Sequence, residues 1–442
     1  MEKIDFTEMD ISRAIRYIAF PLIFATFFET LYNLVDMFWI GRLGYEQIAA
    51  VGIFGIFFEF VIIFNDLIGV GSVALIARNY GAKNFKRVNE VVKQTLFLKL
   101  FIAVIFCCVG ILFIQNILVL LGAQGDTITY GMRYGRIISF GFIFMLSGYS
   151  LFTAMRGVGD SRTPMKIMIA SNVLNMVLDP VFIFWLGLGI EGAAVATVLS
   201  QIVVFAAGIF LVTTKRHIVE IDSKIEFDFH TMKSILTIGI PSGIESFARN
   251  ITSMITIRII AGFSMAALAG FHIFFRLSGI SWMFIWGLAL ACESLVGHNL
   301  GAGKPRRAEK TALKSGYMGT FITAGFAVMF FIYASHMVSI FNSAEEVIQV
   351  GTSCIRIISP FLLFFGFHVP LSGAFFGSGD TKPPMVITIV TSFCFQVPAM
   401  VILSHTLGVH GVFLAYGVAM LVGFCITFLW FSRGKWKEKK VE

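Results

Sequence analysis

The stretch Gly157-Val158-Gly159-Asp160-Ser161-Arg162-Thr163-Pro164-Met165 returns 220 residues later as Gly377-Ser378-Gly379-Asp380-Thr381-Lys382-Pro383-Pro384-Met385. Five of the nine positions are identical. The same shift sets Pro21 on Pro241, Ile53-Phe54 on Ile273-Phe274, and Arg136-Ile137-Ile138-Ser139 on Arg356-Ile357-Ile358-Ser359. Gly81-Ala82-Lys83 falls near Gly301-Ala302-Gly303-Lys304. A register that holds ungapped over most of that length is not expected by chance, so the chain reads as a duplication of half its own length.

Composition says what was duplicated. Of 442 residues, 57% are hydrophobic and only 14% charged, with a mean hydropathy of +0.84. A soluble domain carries about 25% charged residues. One bilayer-spanning helix needs about 20 mostly apolar residues, so twelve need about 240. The hydrophobic share of this chain is about 252 residues. An ordinary soluble enzyme is excluded, and a transmembrane barrel is disfavoured because its short alternating strands give a weaker apolar signal.

Apolar runs place spans near 15–40, 48–77, 91–121, 127–155, 163–187, 191–214, 235–261, 265–297, 309–341, 347–376, 384–405 and 411–432. The expected fold is therefore an all-α polytopic membrane protein with about twelve transmembrane helices in two six-helix repeats. An even number of spans per repeat makes the repeats parallel, related by an axis along the membrane normal, with a substrate site expected between them. The domains are an N-terminal lobe over 1–214, a polar cytoplasmic linker over 215–233, and a C-terminal lobe over 234–442.

The net charge of +8 fits basic cytoplasmic loops better than a nucleic-acid partner. Arg78, Lys83, Lys86 and Arg87 lie in one even-numbered loop, and Lys304, Arg306, Arg307 and Lys310 in another. Lys215, Arg216 and Lys224 occupy the linker, and Arg433 through Lys440 the tail, whereas the alternate loops offer little beyond Arg42. Both termini are expected in the cytoplasm of a cell with this chain in its plasma membrane. The six cysteines sit in apolar runs without a CxxC pair, so neither disulfides nor a metal site is expected.

The repeat also filters function from scaffold. Arg136 and Arg356 recur, as do the Gly-Asp-Pro-Met turns, which suits framework roles. The Asp of each turn is expected to accept hydrogen bonds at the start of the next helix. Deep acids of the first half do not recur: Asp36 falls on Thr256, and Asp179 falls in Val397-Pro398-Ala399. Steps of three, four and seven gather Glu29, Tyr32, Asn33 and Asp36 on one face of the first span. A similar stripe on the fifth span holds Met168, Asn172, Asn175 and Asp179. Pro21 and Pro180 interrupt these two helices, as happens at transporter sites.

The topology puts Thr197 and Tyr134 at about the depth of Asp36 and Asp179. Two carboxylates in a medium of low dielectric can take up protons, and Asp, Asn and Thr oxygens suit a hard cation. Asp36, Asn175, Asp179 and Thr197, flanked by Tyr32 and Tyr134, are thus a candidate H⁺ or Na⁺ site. Glu29, Asn33, Asn172, Met168 and Pro21 are additional candidates.

These residues carry a resemblance. The run Asp36-Met37-Phe38-Trp39-Ile40-Gly41-Arg42-Leu43-Gly44, the Gly-Ala-Lys helix ends and the Arg156-Gly157-Val158-Gly159-Asp160 turn resemble multidrug and toxic compound extrusion (MATE) transporters over essentially the whole chain. Tyr32, Asp36, Tyr134, Asn175, Asp179 and Thr197 match positions used for cation coupling in the archaeal, DinF-like branch. The resemblance implies a V of two lobes and a secondary antiporter exchanging H⁺ or Na⁺ for bulky organic cations. Glu29 stands where some relatives are expected to carry a neutral amide.

A substrate cavity is expected to involve Trp282, Trp286, Glu245, Arg249, Asp66 and His368, with Glu245 and Arg249 paired at i, i+4. No Walker motif, nucleophile elbow or HExxH is present, so neither an enzyme nor a cofactor is expected beyond the coupling ion. The expected surroundings are a lipid bilayer and amphipathic cationic small molecules, with the chain as a monomer. The alternative reading is a flippase for lipid-linked oligosaccharides or lipids of a related fold, which would call for a more cationic cavity.

Overall fold

A computed structural model describes residues 5–214, 219 and 227–439. Lys215, Arg216, Lys224, Lys440 and most of the expected linker lie outside the described residues. Everything regular among those described is helical.

The first half comprises α1 (Ile11–Gly41), α2 (Tyr45–Gly81), α3 (Phe85–Leu120), α4 (Asp126–Gly157), α5 (Arg162–Pro180) and α6 (Ile190–Thr213). The second comprises α7 (Phe229–Ala261), α8 (Met265–Gly301), α9 (Pro305–Phe341), α10 (Glu345–Ile358), α11 (Leu362–Ser378), α12 (Lys382–Ile389), α13 (Val397–Leu407) and α14 (Val409–Ser432). Pro360 divides α10 from α11 with one 3₁₀ turn at Ser359–Phe361, so the pair forms a single span. A π segment, Val390–Gln396, joins α12 to α13 ahead of Pro398. Among the described residues, eleven spans are long and apolar enough to cross a bilayer. The 33-residue α7 is as long but more polar, because it carries Glu245, Arg249 and Arg258.

The chain packs as two units. One is Phe20–Gly239, and the other combines Phe6–Ala19 with Ile240–Val441. The sequence boundaries at 214 and 234 follow the chain, whereas packing exchanges the two helix starts. Both divisions fall within two residues of a helix-interior proline, Pro21 or Pro241. Proline removes a ladder hydrogen bond, so a helix can change its packing partner there. In the first unit, Asp228 caps α7 and pairs with Arg87 at 3.1 Å, and a side chain at Gly239 would collide with the backbone carbonyl of Leu67. In the second, Lys304 pairs with Glu8, and the Phe6 ring stacks on His298 at 5.7 Å.

Each unit has its own core, and the cores correspond. Phe54, Leu118 and Ile138 are buried in the first where Phe274, Val338 and Ile358 are buried in the second. Lipid is as apolar as these side chains, so close packing rather than water exclusion holds the helices together. Small residues permit it: a Cβ on Gly270 would lie 2.8 Å from Gly351 Cα. The duplicated turns match too. Gly159 and Gly379 have φ of 83° and 78°, which L side chains avoid. Asp160 accepts from the backbone N–H of Arg162 and Thr163, both at 3.1 Å, as expected of a cap.

Candidate functional site

In the first unit, α5 follows its polar stripe to Pro180 and then loosens into a π turn at Val181–Trp185. Such turns appear where a helix is adapted to function. Ser171 Oγ donates to the Ser200 carbonyl at 2.9 Å and fixes α5 against α6. This seats Asn175 and Asp179, 2% and 0% exposed, beside Thr197.

Asn175 can lie in two amide orientations. In one, its Nδ2 stands 3.4 Å from Thr197 Oγ1. In the other, it donates to Asp179 Oδ2 at 3.0 Å and its oxygen accepts from the Thr197 backbone N–H at 3.1 Å. Two short bonds outweigh one long one, so the second orientation is adopted. Tyr32 Oη reaches Thr197 Oγ1 at 3.5 Å from α1. Tyr134, 7% exposed and edge-on to Phe54, closes the group from α4 within electrostatic reach of Tyr32, Asp36 and Asp179. Asp36 and Asp179 are in electrostatic reach of each other.

One oxygen of each carboxylate, Asp36 Oδ1 and Asp179 Oδ1, is buried without a hydrogen-bond partner. A buried polar atom without a partner is costly. A proton or a small hard cation there removes that cost, and the Asp, Asn and Thr oxygens are suitable donors. Among the described residues, no cluster of His, Cys, Asp and Glu has a transition-metal arrangement.

The structure sorts the other expected residues. Asn33 is exposed, whereas its neighbour Tyr32 is half-buried in the cluster. Asn172, one turn from Asn175, has a buried Nδ2 without a partner, and Met168 is half-buried further along the stripe. Pro21 is buried at the division within α1. Glu29 lies in electrostatic reach of Asp66, which accepts from Asn65 Nδ2 at 3.0 Å.

Beside Asp66 is a residue that the sequence reading passed over. Lys99, fully buried on α3, donates to Thr153 Oγ1 at 3.1 Å and is in electrostatic reach of Asp66 and Arg156. Its signal was available: a lone cation in an apolar run, opposite Gly319 across the 220-residue shift.

The residues expected at a substrate cavity divide between the units. Trp282, Trp286, Arg249 and His368 line one cavity of about 330 Å³ in the second unit. Glu245 joins them as the ion-pair partner of Arg249 and the acceptor of Thr388 Oγ1 at 3.3 Å. Asp66 belongs to the first unit.

The MatE family model matches residues 21–181 and again 241–402, one copy in each half. The chain belongs to the MatE family. Among similar proteins is the probable multidrug resistance protein YoeA of Bacillus subtilis (strain 168), 28% identical over 433 residues, covering 95% of this chain and 93% of that one. The probable multidrug resistance protein NorM of Thermotoga maritima is 27% identical over 446 residues, covering 98% and 94%. A crystal structure of a MATE protein in complex with MaD3S superimposes over 100% of both chains at 27% identity with a TM-score of 0.93. This MatE chain is therefore a multi-pass membrane protein with the fold of that transporter family, built from two copies of one helical unit.

Proposed function

We propose that the chain is a secondary active multidrug efflux antiporter, exchanging H⁺ or Na⁺ for amphipathic organic cations. The observation that carries this reading is the pair of unpartnered buried oxygens on Asp36 and Asp179, held beside Asn175 and Thr197. Tyr32 and Tyr134 complete the coupling site. Ion binding there shifts α1 about Pro21 and weakens the drug-binding surface, so that ion and drug disfavour each other. Such reciprocal coupling is what exchange requires. The names of the relatives support multidrug export, and the acidic cluster speaks for cations over a phosphate-bearing lipid. We place the chain as a monomer in the plasma membrane with both termini cytoplasmic, as the basic loops suggest.

The test is dye movement in liposomes containing the purified chain, with pH and Na⁺ gradients imposed separately. Ethidium should accumulate against its gradient under one of them. Transport that persists unchanged in Asp36→Asn and Asp179→Asn chains would refute the mechanism.

A further inference from the structure

The cavity of the second unit already contains a cation. Arg249 is ion-paired with Glu245, and its guanidinium carbon stands 5.7 Å from the centre of the Trp286 ring. A carboxylate fork and an aromatic face together are the chemistry that recognises a planar organic cation. The carboxylate side is well fixed: the Glu245 side chain is 8% exposed and accepts from Thr388. Its second oxygen, Oε2, is buried without a partner. Trp282 Nε1 and Thr391 Oγ1, both at the cavity wall, are also buried without partners. The Arg249 side chain, by contrast, is 44% exposed and has a second anchor, Ser246 Oγ at 3.1 Å from Nη2. It can leave Glu245 without losing every partner.

We propose that Glu245, Trp286 and Trp282 form an organic-cation site within the second unit, suited to planar aromatic amidinium or guanidinium compounds. Arg249 is its resident occupant, and an incoming cation displaces it. The ligand's charged end takes the Glu245 carboxylate and the Trp286 face. An acceptor at its far end takes the Trp282 N–H. The cavity of about 330 Å³ holds a compound of one or two rings. The site deepens the efflux reading by naming a cation class, but it is tested by equilibrium binding, which involves no gradient.

An internal competitor lowers apparent affinity by the fraction of time it leaves the site open, so an occupant present nine-tenths of the time weakens binding about tenfold. The experiment is a titration of the full chain in lipid nanodiscs with p-aminobenzamidinium, followed by its emission. Arg249→Gln should bind at least tenfold tighter than the parent. Arg249→Lys, which keeps the pair, should stay within about threefold of the parent, and Glu245→Gln/Arg249→Gln should lose the gain.

In the parent chain the same probe should accelerate phenylglyoxal modification of Arg249, read by peptide mass, because displacement exposes the guanidinium. Tetramethylammonium, which is not planar, should bind at least tenfold more weakly. Equal or weaker binding by Arg249→Gln would overturn the proposal, as would a gain that survives loss of Glu245. Slower modification of Arg249 would overturn it in the parent chain even if the variant failed to fold. Both readouts, binding by the Arg249 variants and modification of Arg249, are taken with no ion gradient imposed, so failure here is distinct from failure of ion coupling at Asp36 and Asp179.

Discussion

Under the proposed coupling, the two carboxylates of the first-unit cluster set a ceiling on how strongly an ion gradient can drive export. Each ion exchanged across one pH unit, or across a tenfold Na⁺ gradient, supplies about 1.4 kcal/mol. One ion per monovalent dye therefore supports about tenfold accumulation, and two ions, one per carboxylate, about 100-fold, when the membrane potential is held at zero. Asp179→Asn keeps the side chain's size and still lets Asn175 donate to its oxygen, since the 3.0 Å bond needs only an acceptor there. It removes one of the two titratable sites. Accumulation in that chain should not exceed about tenfold under a one-unit gradient, and the Asp36→Asn/Asp179→Asn chain should only equilibrate the dye. The assay is ethidium uptake into liposomes clamped with K⁺ and valinomycin, with thermal unfolding as the check on folding. Accumulation above the passive level in the double variant, or above the tenfold ceiling in Asp179→Asn, would refute the assignment.

Three further outcomes are expected. Thr197→Val removes the hydroxyl nearest Tyr32 Oη but leaves the backbone N–H that serves Asn175, so the ion concentration for half-maximal exchange should rise about fivefold to tenfold, one hydrogen bond's worth, with the fold intact. Gly239→Val places side-chain atoms on the Leu67 carbonyl and should cost about 1–3 kcal/mol, read as a lower unfolding temperature. Asp228, in front of α7, is held down to about 2, chiefly by the Thr231 hydroxyl and then by the Thr231 N–H and Arg87. A carboxylate lowered by folding stabilises above its unfolded value and loses that contribution as pH falls toward the folded one. The stability gap between the parent and Asp228→Asn should therefore be full at pH 7 and close between about pH 4 and pH 2. A gap that persists at pH 2 would contradict the cap.

Much of the candidate cluster's geometry was legible because helical spacing is a local property. Asn175 and Asp179 are four apart, and Tyr32 and Asp36 are four apart, so each pair shares a helix face wherever the helix sits. Spacing did not separate Tyr32 from Asn33. Both fit a broad stripe, and only the position of α6 shows that Tyr32 meets Thr197 while Asn33 stays exposed. Lys99 is a cation, so it falls outside a comparison confined to the deep acids. The repeat comparison that singled out Asp36 marks Lys99 equally well, as it falls on Gly319. Trp282 and Trp286 were named from mid-span placement, but only the tertiary structure puts them around one cavity with Arg249 and His368 and leaves Asp66 in the other unit.

The sequence by itself determined that this is a membrane protein made of two like sets of helices, since hydropathy and a fixed repeat are read along one dimension. It determined the candidate acids as well, because they are what the second copy lacks. Tertiary structure alone decided how those helices are shared out. The starts of α1 and α7 each pack with the other half's unit, with the divisions falling within two residues of Pro21 and Pro241. Proline shows that a helix can change partner, but the partner is chosen by contacts hundreds of residues away, such as Lys304 with Glu8. The same distance along the chain hid the orphaned oxygens of Asp36 and Asp179, because an unmade hydrogen bond is a property of everything packed around an atom.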